Sequence, residues 1–432
     1  MSKFSRANLR KTINYLKKNG LKDTLYAAVE RLGKGAQDDY VYVEPCMEEL
    51  DRQREKQWRH PVSFSIIVPI YHTPEGFYRE MIESVLRQTY PHFQLVLADA
   101  GKSDNLRRIA EEYKDERITY VELKDNAGIA ENTNQGMEYA TGDYIALLDH
   151  DDLLTADALY HMAEAVEEGK KTGCEKILLY SDEDKCNGDG SKYYEPHLKQ
   201  DFNLDLLLTN NYICHFTAVR SNIAKELKLL STYDGAQDFD FVIRTAEEIQ
   251  TVFGAENVGD HIVHIPRVLY HWRCHENSTA LNTESKRYAY EAGRRAVEDF
   301  AKRQGWDVKV EHLKHLGFYR IQYPENIWEI RPEVAMIGGN LYENGKISGG
   351  IMSENGEVIF GGLKKGFSGY LNRAALMQQA EALDIRNAKL SPVAQEMLEE
   401  ISESDPVKRS LVLSEKLRDA GYILLYDPQF GE

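Results

Sequence analysis

Three aspartates fall within four residues at Asp149-His150-Asp151-Asp152, directly behind the apolar run Tyr144–Leu148. Carboxylates this close repel one another unless a cation sits among them. Hard divalent ions such as Mg²⁺ or Mn²⁺ favour oxygen ligands and share them with diphosphates. Asp149 and Asp151 are the ligands this spacing suggests, in a D-x-D arrangement. The competing reading is a solvated acidic turn that caps the next helix.

A second acidic group lies downstream, in Gly235-Ala236-Gln237-Asp238-Phe239-Asp240. Transfer of a group to a hydroxyl needs a proton acceptor opposite the leaving group, and Asp238 is the candidate general base. Either aspartate could equally cap the helix that holds Phe241 and Ile243. Further on, His271 and His275 are four apart, a helical spacing for zinc. The strand-like approach Ile262–Tyr270 argues against that, and His271 is expected instead as a further metal or diphosphate contact.

These groups need elements to position them. Short apolar runs at Phe64–Pro69, Phe93–Ala98, Ile118–Leu123 and Tyr144–Leu148 read as buried strands. Helical patterns at Gly76–Gln88, Asn105–Lys114 and Ile129–Ala140 separate them. This alternation predicts a mostly parallel sheet with helices on both faces, whose ligands sit beyond the carboxyl ends of the strands. On that rim, Pro69 ends the first ladder, and Tyr71 offers a ring on which a base could stack. Asp99 could accept a hydrogen bond from a base, Gly128 makes a turn, and Asn134 sits on the following helix. Each alone is ordinary turn chemistry; a shared rim favours a site. A helix over Thr155–Glu168 and a strand over Lys176–Tyr180 come next, then a polar stretch, Ser181–Tyr194, and a charged helix, Ser285–Gln304. Past Pro324 the character changes. Val334–Ile347 and Ser410–Pro428 echo a strand and turn, then a helix and strand, of the part before.

The 432-residue chain carries a net charge of −17, which counts against nucleic acid as a partner. No apolar run is long enough to span a bilayer. The five cysteines are odd in number and scattered, which fits a reducing cytoplasm. Residues 1–34 are locally +7, with leucines and an isoleucine at helical spacing. They read as a basic helical segment that could lie on an anionic membrane surface or pack on the main domain. Residues 36–60 read as a linker, with a short helical stretch around Met47–Trp58.

Taken together, Ser65–Tyr71 (SIIVPIY), Ser84–Tyr90, Val96–Asp104, Asn126–Gly136 (NAGIAENTNQG), Ala140–Leu154 (ATGDYIALLDHDDLL), Gly235–Asp240 and Ile265–Arg273 (IPRVLYHWR) resemble the family 2 glycosyltransferases of GT-A fold. The closer resemblance is to bacterial enzymes that build capsule, O-antigen or cell-wall polysaccharide. Where that family pairs two acidic residues, this chain has Asp99 and Ala100. The acidic pair before the base is here Gln237-Asp238.

The resemblance implies an α/β GT-A domain over 61–324, after a basic helical segment and linker at 1–60. A small α+β appendage at 325–432 would be a truncated, non-catalytic half-repeat of a second such domain. It further implies inverting transfer from a nucleotide-sugar donor to a saccharide or lipid-linked acceptor. Asp238 would be the base, and Asp149 and Asp151, with His271, would hold Mn or Mg. Pro69, Tyr71, Asp99, Gly128, Asn134 and Asp149 would bind the donor. The expected setting is the cytoplasm, with the inner face of the cell membrane as one expected peripheral location and a homodimer as one expected assembly. Two rivals are a sugar nucleotidyltransferase, disfavoured by Tyr71-His72-Thr73-Pro74-Glu75 where a basic phosphate loop would stand, and an inactive scaffold that kept the fold.

Overall fold

The computed structural model describes residues 40–275 and 287–431. The basic segment expected to be helical, 1–34, lies outside the described residues, and its membrane reading with it. Two compact units emerge, Val41–Pro324 and the chain from Glu325 onward.

The first unit is an α/β domain around one nine-stranded sheet. Its strands are β1 (Phe64–Ile70), β2 (Phe93–Asp99), β3 (Ile118–Glu122), β4 (Tyr144–Leu147), β5 (Leu153–Leu154), β6 (Leu178–Asn187), β7 (Tyr193–His197), β8 (Thr217–Arg220) and β9 (Ile262–Cys274). The order is β3-β2-β1-β4-β8-β6-β9-β5, with β7 on β6. β3, β2, β1 and β4 are mutually parallel and β6 is parallel to β9, whereas β8, β5 and β7 run against their neighbours. This is the mostly parallel α/β sheet expected of a GT-A domain.

The central strands are buried on both faces. Phe64, Ile66, Ile67, Val68 and Ile70 of β1, and Leu95, Val96 and Leu97 of β2, have no accessible surface. Helix Ile129–Glu138 approaches this sheet closely at Gly136, where a Cβ would fall 2.8 Å from Ile67 and 3.1 Å from Ala98. That close seat brings the start of the helix, Gly128, to the carboxyl rim.

Two expectations are altered. Residues 41–60 are not a free linker but part of this unit. Helix Met47–Glu55 buries Leu50 and Gln53, and Gln53 Oε1 accepts a 2.8 Å hydrogen bond from Thr89 Oγ1. Trp58 packs edge-on against Tyr90 and Tyr160. Single aromatic anchors do this, and they leave no periodic pattern to read. The polar stretch Ser181–Tyr194 is also not a loop, since β6 continues to Asn187 with Asp182, Glu183 and Asp184 all buried. Each carboxylate has a histidine within reach: His264 for Asp182, His197 and His215 for Glu183, and His271 for Asp184. Paired in this way, charges can occupy a central strand.

The second unit has its own core, with Met336, Leu413, Leu417 and Leu424 among its buried residues. Strand Val334–Gly338 runs parallel to Ile423–Tyr426 and antiparallel to Ala388–Leu390. Helix Pro392–Glu399 follows the edge strand, and helix Pro406–Asp419 precedes the last one.

Candidate active site

The carboxyl rim of the sheet gathers most of the residues singled out by sequence. Pro69 is the penultimate residue of β1, paired with Ala98. Tyr71 follows that strand with 46% of its surface exposed, so its ring is open to a stacking partner. The position a Cβ would take on Gly101 lies 3.9 Å from that ring, which sets the turn after β2 directly beside it.

Asp99 and Asn134 lie on this rim but are engaged within the fold. Asp99 is fully buried; Oδ1 accepts from the Gly101 amide at 2.7 Å, and Oδ2 accepts from the Ser103 amide at 2.8 Å and from the Tyr120 hydroxyl. It therefore shapes the turn beside Tyr71. Asn134 donates from Nδ2 to the Leu229 carbonyl at 2.8 Å and accepts the Leu229 amide on Oδ1 at 2.8 Å. That two-ended clamp ties the helix begun at Gly128 to the segment leading to Asp238. Gly128 has φ +92°, a conformation side chains rarely adopt.

Behind β4, Asp149 and Asp151 stand half-buried. Burial raises the proton affinity of Asp149, His215 opposes the rise, and the neighbouring Asp151 carboxylate adds to it. Asp152 has a different task. Its Oδ1 accepts the Arg273 amide at 2.7 Å and its Oδ2 accepts the Tyr270 hydroxyl. Arg273 Nε donates at 2.6 Å to the Asp151 carbonyl, so β9 fixes the backbone of the acidic turn.

The histidine at Asp151 is not His271. Nε2 of His275 lies 2.8 Å from Asp151 Oδ2. His271 is buried, its Nδ1 2.6 Å from Asp184 Oδ1 and its ring 4.6 Å and 4.3 Å from those of Tyr42 and Tyr193. The strand geometry explains the difference: β9 holds His271 in register with β6 opposite Asp184, whereas His275 lies just beyond the strand end.

Asp238 is the second residue of helix Gln237–Phe253. Its Oδ2 accepts a 2.8 Å hydrogen bond from Asn211 Nδ2 and has the Cys214 thiol 3.9 Å away. Gln237, in the place of the family's acidic partner, turns back to accept the Gly235 amide at 2.7 Å. Asn211, Cys214 and His215 share the loop before β8. Lys199, buried, donates from Nζ to the Ile213 carbonyl at 2.5 Å and to the His215 carbonyl, pinning that loop.

His215 Nδ1 lies 3.1 Å from Glu183 Oε2, and the ring stacks on Tyr270 at 4.6 Å. Burial alone would raise Glu183, but Lys199, His197 and His215 hold it well below the usual range. Burial pushes the Cys214 thiol up to about 11, so it stays protonated. Against the pull of its own burial, His215 is held well above the usual imidazole value by the Cys214 sulfur beside it and by the Glu183 carboxylate. Donor atoms of Glu183, Cys214 and His215 lie within 4.8 Å of one another, as metal ligands might. The Lys199 ammonium, 3.8 Å from Glu183, already supplies the positive charge there. This is a hydrogen-bonded network beside Asp238.

Sequence reasoning passed over Asn211, His215, Glu183 and Lys199. A Cys-His pair and three consecutive acidic residues were the only signals, and neither has a diagnostic spacing.

Residues 65–228 match the family model for glycosyl transferase family 2. That stretch includes the rim and the Asp149–Asp151 turn, and ends before Asp238. Among relatives, an uncharacterized protein of Sinorhizobium fredii, y4gI, is 36% identical over 239 residues, 54% of this chain and 25% of that protein. The O-antigen biosynthesis protein RfbC of Myxococcus xanthus is 31% identical over 270 residues, 62% of this chain and 20% of that one. The glycosyltransferase GlyG of Streptococcus pneumoniae is 31% identical over 106 residues, 24% of this chain and 35% of that one. The chain thus spans a quarter or less of the length of the first two relatives. The similarity to the glycosyl transferase family 2 model is thus a similarity of residues 65–228, and the three relatives match only part of this chain.

Proposed function

We propose that this chain moves a sugar from a nucleotide-sugar donor to a hydroxyl of a growing cell-surface polysaccharide or lipid-linked saccharide, with inversion at the sugar carbon. The observation that carries the reading is one rim with two roles. Tyr71 follows β1, the acidic turn Asp149–Asp151 follows the adjacent strand β4, and Asp238 lies close enough to Asp149 to raise its proton affinity.

Asp238 takes the proton of the acceptor hydroxyl, and the Asn211 hydrogen bond fixes which lone pairs face that hydroxyl. His275 and Asp151, with Asp149, form a set of oxygen and imidazole donors suited to Mn²⁺ or Mg²⁺. Burial first, and then the neighbouring Asp151 carboxylate, raise the proton affinity of Asp149, and a cation there would favour its charged form. When bound, such an ion neutralises charge developing on the departing diphosphate. Arg273 and Asp152 keep the acidic turn in place, and Tyr270 links it to His215 on the acceptor loop.

Residues 325–431 support the half-repeat reading. Their parallel pair 334–338 and 423–426, the antiparallel edge 388–390 and the two helices follow the same chain order and directions as β6, β9, β8, helix Ser221–Leu227 and helix Gln237–Phe253. In the tail, the helix corresponding to the base helix has Val407 second, and Asp405 is engaged as its N-cap, 2.9 Å from the Lys408 amide.

The deciding experiment incubates the chain with a panel of nucleotide sugars and Mn²⁺, following nucleoside diphosphate release and the anomeric configuration of product. No release with any donor, or retained configuration, would refute the proposal.

A further inference from the structure

The loop between Leu229 and the base helix holds an acidic side chain that the mechanism above does not use. Oδ1 of Asp234 is buried and has no hydrogen-bond partner among the described residues. The surrounding backbone is well tied. The Asp234 amide donates to the Ser231 carbonyl at 3.1 Å, the Ala236 amide to the Tyr233 carbonyl at 2.7 Å, and Arg295 Nη2 to the Thr232 carbonyl at 3.0 Å. The Tyr233 hydroxyl donates to Asp299 Oδ2 at 2.7 Å, and the Asn134 clamp holds Leu229. A buried polar atom without a partner costs stability, more so when charged. A fold that fixes the backbone on both sides and leaves the carboxylate unmatched calls for an explanation.

Its position suggests one. Oδ2 of Asp234 lies 2.7 Å from where a Cβ on Gly128 would stand, so the carboxylate rests directly on the Gly128 turn. It is also four residues before Asp238, in the loop that leads into helix Gln237–Phe253, so the carboxylate belongs both to the Gly128 turn and to the approach to that helix.

We infer that Asp234 accepts hydrogen bonds from ring hydroxyls of the donor sugar and selects neutral, hydroxylated hexoses over uronates. The inference rests on the transferase reading above. A carboxylate can accept from two adjacent hydroxyls, and charge-assisted bonds of this kind are stronger than neutral ones. A donor sugar with its own carboxylate would meet the Asp234 carboxylate, a repulsion that works as discrimination. Glycine at 128 acquires a second reason, because any side chain there would displace the Asp234 carboxylate.

The test is calorimetric titration of the full chain with Mn²⁺ and UDP, dTDP or GDP, each alone and as its glucose, galactose, N-acetylglucosamine or mannose conjugate, with UDP-glucuronate included. In the parent, the preferred conjugate binds more tightly than its bare diphosphate. Asp234→Ala should remove that sugar increment, weakening the conjugate about tenfold or more, while the bare diphosphate binds as before. Asp234→Asn, which keeps the shape and one acceptor oxygen, should fall between the two, and it decides the matter if the alanine variant does not fold. The parent's preference for UDP-glucose over UDP-glucuronate should narrow in both variants. Equal losses for conjugate and bare diphosphate would make Asp234 a structural residue and overturn the inference, as would no change in either. If the parent binds none of the panel, the transferase reading itself fails and takes this inference with it.

Discussion

Asn211 donates a 2.8 Å hydrogen bond to the same carboxylate oxygen of Asp238 that lies nearest the Cys214 thiol, so this carboxylate, the proposed base, is held from the loop before β8. That loop is in turn pinned by Lys199 and by the His215–Glu183 pair. The base and its orienting group therefore come from separate elements, and each can be removed alone.

Asp238→Asn preserves shape and the contact with Asn211 but cannot take a proton. Turnover should fall by about 10²–10⁴-fold with donor affinity unchanged. Asn211→Ala should give a smaller loss in kcat, again at constant donor affinity, because the base survives but loses its orientation. Parent-level turnover in Asp238→Asn would send the search to Asp240, although its Oδ2 already accepts from Arg244 at 2.8 Å.

The metal set makes a contrast between two histidines. His275→Ala should weaken Mn²⁺ binding by roughly 10–100-fold, the scale of losing a group that supports a metal site. Asp151→Ala should abolish metal-dependent turnover while the protein stays folded. His271→Ala should leave metal affinity intact and lower the melting temperature, since it strips Asp184 of a buried partner. Loss of Mn²⁺ affinity in the His271 variant, with none in His275→Ala, would reverse the assignment.

The rim was legible because its logic is local. Short apolar runs such as Phe64–Ile70 and Phe93–Asp99 announce buried parallel strands, and turn residues at their ends announce the site. β6 was hidden because its second half is acidic, and only tertiary pairing with four histidines makes it a strand. His271 and His275 could not be told apart by spacing. The register of β9 against β6, which turns one toward Asp184 and leaves the other at the strand end, is a long-range property. The engagement of Asn134 by Leu229 and of Asp99 by the 101–103 turn depends on contacts that no one-dimensional pattern carries.

The tail invites a simple cut. Every residue assigned here to donor, metal or base lies between Pro69 and His275, and the two units have separate cores. A chain ending after Pro324 should keep the parent's turnover per folded molecule with the preferred donor. Complete loss of activity in a truncated protein that still melts cooperatively would show that the second unit supplies part of the reaction.

Glu183 offers the sharpest stability test. It is the anion for a buried Lys199, for His215 and for His197. Glu183→Gln keeps the shape but leaves two buried cations without a counter-charge, and breaking such a pair typically costs about 3–5 kcal/mol. The sign with pH follows from the depressed proton affinity of Glu183 in the folded state. Its stabilising contribution is complete above the ordinary glutamate value of about 4.5 and is lost as pH falls through the lower folded value. Urea unfolding of parent and variant should therefore show a wide gap at neutral pH that narrows on acidification below about 4.5. A gap constant down to the acid transition would mean that Glu183 titrates alike in the folded and unfolded protein, and the His215–Glu183 pairing would then contribute no charge stabilisation.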